Sequence, residues 1–217
     1  MDSVSGVGVL DKSMMIVDAV HHGGALSLAE LVEDTGLPRP TAHRLAAALE
    51  DHRVLRRDAD GRYRLGMRLI GWGAAAGGEA GLLDAATPIL IELRDRTGES
   101  VQLYVRDGDT RVCIASLERR QGGLRDAVPT GAVLPIERGS GGKALTEHVG
   151  AGGWAESVAE REEGVASVSA PVRDPSGRVL AAVSVSGPLA RLGKAPGRKY
   201  GARVVAAARD MERRLGV

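Results

Sequence analysis

The segment that decides the fold reads LPRPTAHRLAAALEDH over residues 37–52 and continues as RVLRRDADGRYRLG over residues 53–66. Proline is tolerated in the first turn of a helix, so Pro40 predicts a helix that begins close to it. Apolar residues then recur at helical spacing: Ala42, Leu45, Ala46 and Leu49. The opposite side of this helix, with its small and hydrogen-bonding side chains, is therefore expected to face outward.

Features on both sides of this helix predict a winged helix-turn-helix. Before it, Ser27 and Glu30 have the spacing of a capping box, and Gly36 ends the short helix that they begin. After it, two strand-like runs flank the turn at 58–61, DADG, which indicates a β-hairpin in the position of a wing. An earlier helix is predicted to end at Gly23, with one broad apolar face formed by Val9, Leu10, Met14, Val17 and Val20.

Positive charge is concentrated in the same segment. Residues 37–66 contain seven arginines and four acidic residues, whereas the net charge of the whole chain is only +1. Arginine and threonine at the outer start of such a helix reach base edges or phosphates, and hairpin arginines brace phosphates beside it. The predicted DNA contacts are Arg39, Pro40, Thr41, His43, Arg44, Arg56, Arg57 and Arg62. A protein-binding module of winged-helix shape is the alternative that this pattern leaves open.

From residue 98 onward, the pattern changes to the alternation that is typical of strands. Two antiparallel pairs are predicted, at 101–106 with 111–117 and at 165–172 with 179–185. A helical stretch at 66–97 and a closing helix at 196–215 flank them, so we expect an α+β fold. Serines alternate along the second pair: Ser167, Ser169, Ser184 and Ser186. A polar pocket and a solvated face are the two interpretations of this alternation.

The run Ser140-Gly141-Gly142-Lys143 has two chemical interpretations. It matches the S-x-x-K nucleophile pattern, but the companion S-D-N and K-T-G segments are absent from the sequence. A glycine-rich turn that leads into a helix also presents backbone N–H groups to an anion. We therefore expect ligand contact here, and a serine-nucleophile enzyme that uses Ser140 and Lys143 is the remote alternative.

Composition narrows the class of protein. Hydrophobic residues make up 43% of the 217 residues and charged residues 26%, as in soluble globular proteins. The sequence contains no apolar run long enough for a transmembrane helix, and its start lacks a signal-peptide pattern. The single cysteine, Cys113, is compatible with a reducing compartment, so a cytoplasmic location is expected. The sequence has no ligand cluster with metal spacing, and no cofactor or metal is expected.

Four stretches resemble the sequences of IclR-type transcription regulators, in the same order and over nearly the whole chain. They are TGLPRPTAHRLAAALEDHRVLRRDADGRYRLGMRL, GESVQLYVRDGD, RGSGGKAL and GVASVSAPVRDPSGRVLAAVSVSGP. The runs SGVGVLDK, RPTAHRLAAALE and GLRDAVPTG are most similar to actinobacterial members that control amino-acid metabolism linked to leucine or nitrogen.

The resemblance implies a division of the chain into three parts. These are a winged helix-turn-helix DNA-binding domain at 1–66, a linker helix at 67–80, and a GAF-like effector-binding and oligomerisation domain at 81–217, whose antiparallel sheet is flanked by helices. It also implies homodimers or homotetramers on palindromic double-stranded operators, and a small-molecule effector such as an amino acid or a keto acid.

The resemblance places an effector pocket at Ser140, Gly141, Ser157, Ser167, Ser184 and Ser186. In many relatives, aspartate and cysteine stand at the positions of Ser157 and Ser167, so the effector is not expected to be theirs. Relatives also have a longer segment between the helix containing Lys143 and the position of Trp154. A ligand-responsive transcription regulator that is not an enzyme is the expected function, and a DNA-binding dimer with a non-sensing C-terminal domain is the alternative.

Overall fold

Four helices and a two-stranded hairpin make up the described residues of the first part of the chain. The computed structural model describes residues 7–76, 81–124, 126 and 128–216. The elements of this part are α1 (Gly8–Gly23), α2 (Leu28–Thr35), α3 (Arg39–Asp51), β1 (Leu55–Arg57), β2 (Tyr63–Leu65) and α4 (Arg68–Ala76). Their order and the antiparallel pairing of β1 with β2 confirm the predicted winged helix-turn-helix.

Local hydrogen bonds explain why α2 begins and ends where it does. The backbone N–H of Glu30 donates to the Ser27 hydroxyl at 3.3 Å, and the backbone N–H of Ser27 donates to the Glu30 carboxylate at 2.7 Å. This reciprocal capping box satisfies two donors that a helix start leaves without partners. Gly36 ends the helix in the left-handed region, with φ of 66°, which a residue without a Cβ adopts at little cost.

The core of this unit contradicts one expectation about α1. Its buried residues are Ile16 and Val20, whereas Val9, Leu10 and Met14 are exposed. Periodicity identifies an apolar stripe along a helix, but only the second half of the stripe on α1 packs in the core of this unit. The buried cluster consists of Ile16, Val20, Leu26, Leu31, Leu37, Ala42, Leu45, Ala46, Leu55 and Tyr63.

The second part of the chain is an α+β unit. Its elements are α5 (Leu82–Thr97), β3 (Ser100–Asp107), β4 (Thr110–Leu117), β5 (Val133–Pro135), α6 (Gly139–Leu145), β6 (Ala155–Val158), β7 (Val165–Arg173), β8 (Val179–Pro188), α7 (Leu189–Leu192) and α8 (Pro196–Arg214). Contacts divide the chain into the units Met1–Gly78 and Glu79–Val217. Of the linker predicted at 67–80, residues 77–80 lie outside the described residues.

Six strands of the second unit form one antiparallel sheet in the order β5-β4-β3-β8-β7-β6. One face of the sheet is apolar and packs against α5 and α8. Its central contributors include Val101, Leu103, Val168, Val183 and Val185. Since successive side chains of a strand point to opposite faces, the residues between these valines and leucines form the other face. The short helix α6 packs there, mainly against β6, β7 and β8.

A tryptophan packed on glycines joins the segment after α6 to helix α8. A Cβ atom at Gly201 would lie 2.5 Å from the indole Cδ2 of Trp154, and one at Gly197 would lie 2.3 Å from its Nε1. The backbone N–H of Gly197 also donates to the Glu156 carboxylate at 2.8 Å. The two glycines therefore allow the indole to lie directly on the helix backbone.

Candidate DNA-binding surface and effector site

Helix α3 packs one side in the core of its unit and exposes the opposite side. Ala42, Leu45 and Ala46 are buried, as the sequence predicts. Of the five predicted DNA contacts on α3, Thr41 is half-buried and the other four are exposed: Arg39, Pro40, His43 and Arg44. Within the described residues, the side chains of Arg39, His43 and Arg44 make no hydrogen bond or ion pair. These groups are therefore accessible to the base edges and phosphates of a duplex.

The contacts of Arg62 favour a structural role over the predicted phosphate contact. Its Nη2 donates to both carboxylate oxygens of Glu30, at 2.8 and 2.6 Å, and its Nε donates to the Ala25 carbonyl at 3.1 Å. The Ser27 N–H bond and this arginine lower the pKa of Glu30 from 4.5 to about 2. Arg62 thus joins the wing to the start of α2.

Arg57 is likewise engaged within its own unit. Its Nε donates to Glu50 at 3.1 Å, its Nη2 donates to the Tyr63 hydroxyl at 2.5 Å, and its guanidinium lies 4.4 Å from the centre of that ring. The hydrogen bond to Glu50 raises the pKa of Arg57 further. These contacts favour a role in joining strand β1 to helix α3 over the predicted contact with the DNA backbone.

The outward side of the hairpin carries a different pair of arginines. Arg56 and Arg64 lie directly opposite each other in the register of β1 and β2, and both are exposed. Like charges facing each other across strands are unfavourable unless an anion lies between them or nearby. Asp58 binds Arg64 at 2.8 Å and offsets part of this repulsion. Arg64 was absent from the sequence-based set, although the hairpin register itself points to it.

In the second unit, the sheet face opposite the apolar core is lined by serines. Ser167 lies opposite Ser186 and Ser157, and Ser169 lies opposite Ser184, so all five hydroxyls are on the same face. Ser157, Ser169, Ser184 and Ser186 are buried there. We call this surface the serine face: Ser157, Ser167, Ser169, Ser184, Ser186 and the neighbouring Gln102 and Tyr104 of β3.

Helix α6 brings Ser140 onto the serine face. The Ser140 hydroxyl donates to Ser167 at 2.7 Å and lies 2.7 Å from the Ser169 hydroxyl, which donates to Ser184 at 2.9 Å. Three of the predicted effector residues therefore belong to one chain of hydroxyls: Ser167 bonds directly to Ser140, and Ser169 links Ser140 to Ser184. The alternation along β7 and β8 already marked Ser169, although the resemblance did not assign it to the pocket.

The other three predicted effector residues surround this chain of hydroxyls. Ser186 donates to the Oε1 of Gln102 at 3.0 Å. Ser157 is buried on the edge strand β6, directly opposite Ser167. Gly141 lies beneath Tyr104, because a Cβ at this position would be 3.0 Å from the Cδ2 of that ring. The structure thus places all six predicted residues in one neighbourhood.

Residues that the sequence analysis missed extend this neighbourhood. Gln102, Tyr104 and Arg111 are buried, and the Arg111 guanidinium lies 5.2 Å from the centre of the Tyr104 ring. Burial lowers the pKa of Arg111 and raises the pKa of Tyr104. Alternation along β3 could have identified Gln102, and the register of β3 with β4 places Arg111 on the same face as Tyr104.

The geometry of Lys143 does not support the nucleophile interpretation of Ser140-Gly141-Gly142-Lys143. Lys143 donates to Glu160 at 2.5 Å and to the Glu156 carbonyl at 3.1 Å, whereas the Ser140 hydroxyl bonds to other serines. The run also differs from the expected turn, because it lies inside helix α6 and does not lead into one. A lysine engaged with a carboxylate is not available as the base for that serine.

Over the ranges that the structure describes, no group of three or more His, Cys, Asp or Glu residues could hold a metal ion. The same residues include no helix that is both long and apolar enough to cross a membrane.

Comparisons with protein families match both units. A family profile described as the IclR helix-turn-helix domain matches residues 9–59. A second profile, the C-terminal domain of the bacterial transcriptional regulator IclR, matches residues 75–151 and 146–213. These two matches of one profile meet at 146–151, where the sequence analysis found the segment shorter than in relatives.

Known proteins of similar sequence and structure agree with these matches. The transcriptional regulator KipR of Bacillus subtilis is 29% identical over 210 aligned positions, covering 81% of this chain and 84% of its own. The structure of IclR from Thermotoga maritima has a TM-score of 0.77 at 24% identity, covering 97% and 99% of the two chains. An IclR homologue from Microbacterium hydrocarbonoxydans, complexed with 4-hydroxybenzoate, has a TM-score of 0.71 at 22% identity, covering 95% and 98%.

Proposed function

The chain belongs to the IclR family of DNA-binding transcription regulators, and from this membership we propose that it is a ligand-responsive regulator. The exposed side of α3, with Arg39, His43 and Arg44, is the single observation on which DNA recognition depends. This side enters the major groove, and Arg56 and Arg64 contact phosphates beside it. Regulators of this family are not enzymes, in agreement with the hydrogen bonds of Ser140 to other serines and of Lys143 to Glu160.

The active species in this proposal is a homodimer, or a tetramer built from dimers, on a palindromic operator. Large apolar side chains remain exposed in the first unit on α1 and on or next to α4: Val9, Leu10, Met14, Met67, Ile70 and Trp72. A second copy of the chain would bury such residues and present two α3 helices to successive major grooves. The half-sites of the operator would then be about one helical turn, or roughly 34–36 Å, apart.

The effector site in this proposal is the serine face with helix α6. It combines buried hydroxyls and uncompensated polar groups, as ligand sites do. Binding of 4-hydroxybenzoate by the homologue from M. hydrocarbonoxydans supports effector binding in relatives, and the proposal extends it to this chain. The ligand would shift the population between two arrangements of the DNA-binding units. The regulated genes in this proposal are those of amino-acid biosynthesis or related carbon and nitrogen metabolism.

One observation favours the second candidate, a DNA-binding dimer without a ligand. The hydroxyls of Ser140, Ser167, Ser169 and Ser184 satisfy one another in the described structure, so they do not require a ligand. Calorimetric titration with amino acids and 2-keto acids distinguishes the two candidates. A binding signal in the wild type that is lost in a folded Ser184→Leu variant supports sensing, because leucine would fill the site. An equal signal in both proteins places the ligand elsewhere.

Genome-wide mapping of bound DNA tests the regulator proposal as a whole. The wild-type protein is expected to occupy a small set of palindromic sites, and the Arg44→Ala variant is expected to lose them at equal protein level. The genes beside these sites would identify the pathway. Binding that is uniform along the genome, or a site pattern unchanged by Arg44→Ala, would contradict the assignment of α3 as the recognition helix.

A further inference from the structure

The exposed side of α8 carries a concentrated positive charge. Residues 189–217 contain eight Lys or Arg residues and two acidic residues, whereas residues 1–188 contain 21 and 26. The apolar side of α8 is buried in the core of the second unit, to which it contributes Tyr200, Val204 and Met211. The opposite side is exposed, and we call its cations the α8 basic face: Arg198, Lys199, Arg203, Arg209, Arg213 and Arg214.

Most cations of the α8 basic face are not balanced by an acidic side chain. Arg213 forms an ion pair with Asp210 of the same helix. Lys199 donates to the Arg191 carbonyl at 3.1 Å, which is a neutral acceptor. Across the part of the chain that the structure describes, no Asp or Glu forms an ion pair with the other members or with Lys199: Arg198, Arg203, Arg209 and Arg214. The face is therefore strongly positive as a whole.

This arrangement of charge is unfavourable for the helix itself. Arg198 and Lys199 lie in the first turn of α8, which has no acidic residue, although the N-terminal end of a helix favours negative charge. Lys199 and Arg203 are four residues apart, a spacing at which like charges repel on the surface of a helix. Arg209 and Arg213 have the same spacing. The stability of α8 does not explain these cations, and a negatively charged partner would remove the repulsion.

The chemistry of the α8 basic face distinguishes between kinds of partner. The uncharged residues exposed among its cations are Ala202 and Ala206, and the aromatic residue of α8, Tyr200, is 2% exposed. Protein interfaces depend on large aromatic or apolar anchors, and single-stranded nucleic acids stack their bases on aromatic side chains. The exposed side of α8, all of which lies within the described residues, offers neither. Duplex DNA requires neither, because Arg and Lys contact its phosphates directly.

The length of the face also fits a duplex. From Arg198 to Arg214 the helix extends for about 24 Å, at roughly 1.5 Å per residue. A duplex carries one phosphate charge per roughly 1.7 Å of its axis, so about 14 phosphates occupy the same length. Several cations can therefore contact phosphates together. The short side chains of Ala202 and Ala206 let the DNA backbone approach the helix between these cations.

We propose that the α8 basic face is a second DNA-binding surface, which contacts the phosphates of duplex DNA without reading its sequence. It belongs to a different unit from α3 and goes beyond the proposed function, on which it does not depend. Each phosphate that it neutralises releases counterions, so the affinity that it supplies decreases steeply with salt. The second unit thereby adds affinity for any duplex, whereas base contacts from α3 supply the sequence preference.

The salt dependence of DNA binding tests this proposal. The full-length protein is titrated into a fluorescent duplex of scrambled sequence at several KCl concentrations, and fluorescence anisotropy gives the association constant K. Replacing Arg203 and Arg209 together by glutamine should make the plot of log K against log [KCl] less steep by about 2. At about 0.1 M KCl, the affinity should fall about tenfold to a hundredfold.

The matched control is the double variant Arg106→Gln with Arg138→Gln. It removes the same charge from two exposed positions of the second unit outside α8, and it should keep nearly the wild-type slope. Circular dichroism verifies that both double variants fold, as expected for substitutions on the exposed side of the helix. Ala202→Glu provides a second variant, because it places a carboxylate among the cations with a residue that favours helix formation. It should weaken binding in the same direction.

The outcomes separate this inference from the proposed function. A wild-type slope in the α8 double variant, or an equal change in both double variants, would overturn the proposal. Binding of labelled poly-L-glutamate that requires Arg203 and Arg209, together with an unchanged DNA slope, would assign the face to an acidic protein instead. In an Arg44→Ala background, the two α8 substitutions should still reduce the slope.

Sequence-specific binding that persists while the slope does not respond to the α8 substitutions leaves the regulator proposal intact. A wild-type protein whose slope depends on Arg203 and Arg209 but which prefers no DNA sequence contradicts only the proposed function.

Discussion

The Arg62 guanidinium binds both carboxylate oxygens of Glu30, 32 residues earlier in the chain. The same carboxylate accepts the backbone N–H of Ser27 in the capping box of α2. One acidic side chain therefore joins the wing to the start of α2, the first helix of the helix-turn-helix.

We expect Arg62→Ala to lower the Tm of the first unit slightly, with little direct effect on base recognition. Both side chains are partly exposed, at 37% and 42%, and solvent screening keeps such pairs weak. The Tm of this variant is measured by calorimetry and compared with that of Arg64→Ala. The control variant loses an ion pair with Asp58 on the outer side of the hairpin. A loss of operator affinity larger for Arg62→Ala than for Arg64→Ala at equal Tm would instead indicate that Arg62 contacts the phosphates.

The stability of the first unit is expected to fall as the pH decreases from about 4.5 toward 2. The folded pKa of Glu30 is about 2, below its ordinary value of 4.5. The unfolded chain therefore takes up a proton before the folded one does, and the stabilisation present above pH 4.5 is lost in this interval. Urea unfolding at several pH values, with Glu30→Gln as control, measures it. The variant should depend less on pH, and an identical profile would show that other carboxylates are responsible.

We expect Arg44→Ala to weaken operator binding about tenfold to a hundredfold, the range that corresponds to roughly 1–3 kcal/mol for a specific base contact. The Tm should stay unchanged, because the Arg44 side chain is exposed and has no partner among the described residues. Fluorescence anisotropy at fixed salt measures the affinity. Ala48→Ser, on the exposed side of the same helix but one turn further from its start, is the matched control and should have a smaller effect.

Gly201→Ala should destabilise the second unit by about 1–3 kcal/mol, the usual cost of an overpacked site. The new Cβ would lie 2.5 Å from the Trp154 ring, so the indole must move. The fluorescence of Trp154, measured in a Trp72→Phe background, should change in parallel. Gly150→Ala is the control, since the nearest atom to its Cβ is 3.8 Å away, and destabilisation of equal size in both variants would contradict this explanation.

Ile70→Glu is expected to convert the proposed dimer to monomers without unfolding the first unit. Ile70 is 64% exposed within one chain, so the charge costs little there, but an interface between two copies would bury it. Light scattering coupled to size-exclusion chromatography measures the mass. Arg53→Glu is the control, because Arg53 is also exposed in the same unit. A dimer that persists in the Ile70→Glu variant would exclude α4 from the interface.

Local patterns predicted the DNA-binding unit well because its signals are short-range. The capping box at Ser27 and Glu30, the left-handed Gly36 and the buried side of α3 each depend on residues within one or two helical turns. The prediction of the apolar face of α1 was wrong because its burial is not decided locally. Val9, Leu10 and Met14 have the spacing of a core stripe, but what covers such a stripe is decided by the tertiary or quaternary structure.

The candidate effector site was only partly predictable. Alternation along β7 and β8 places Ser167 and Ser184 on one face from period-two geometry alone. That Ser140 comes to lie on them depends on the packing of α6, which a single sequence does not encode in any local pattern. Arg111 was missed, and the contact of Arg62 with Glu30 was not predicted, because these long side chains bind residues distant in the chain.

The two-sided character of β7 and β8 constrains how this protein can change over evolution. Valines at alternate positions of these strands form the hydrophobic interior, and the serines between them form the polar site. A single residue inserted into or deleted from either strand would therefore move the following side chains to the opposite face. Both stability and recognition would then be lost together. New ligand preferences are therefore accessible through point replacements at the serine positions, whereas changes in length must be confined to connecting segments such as the one between α6 and β6.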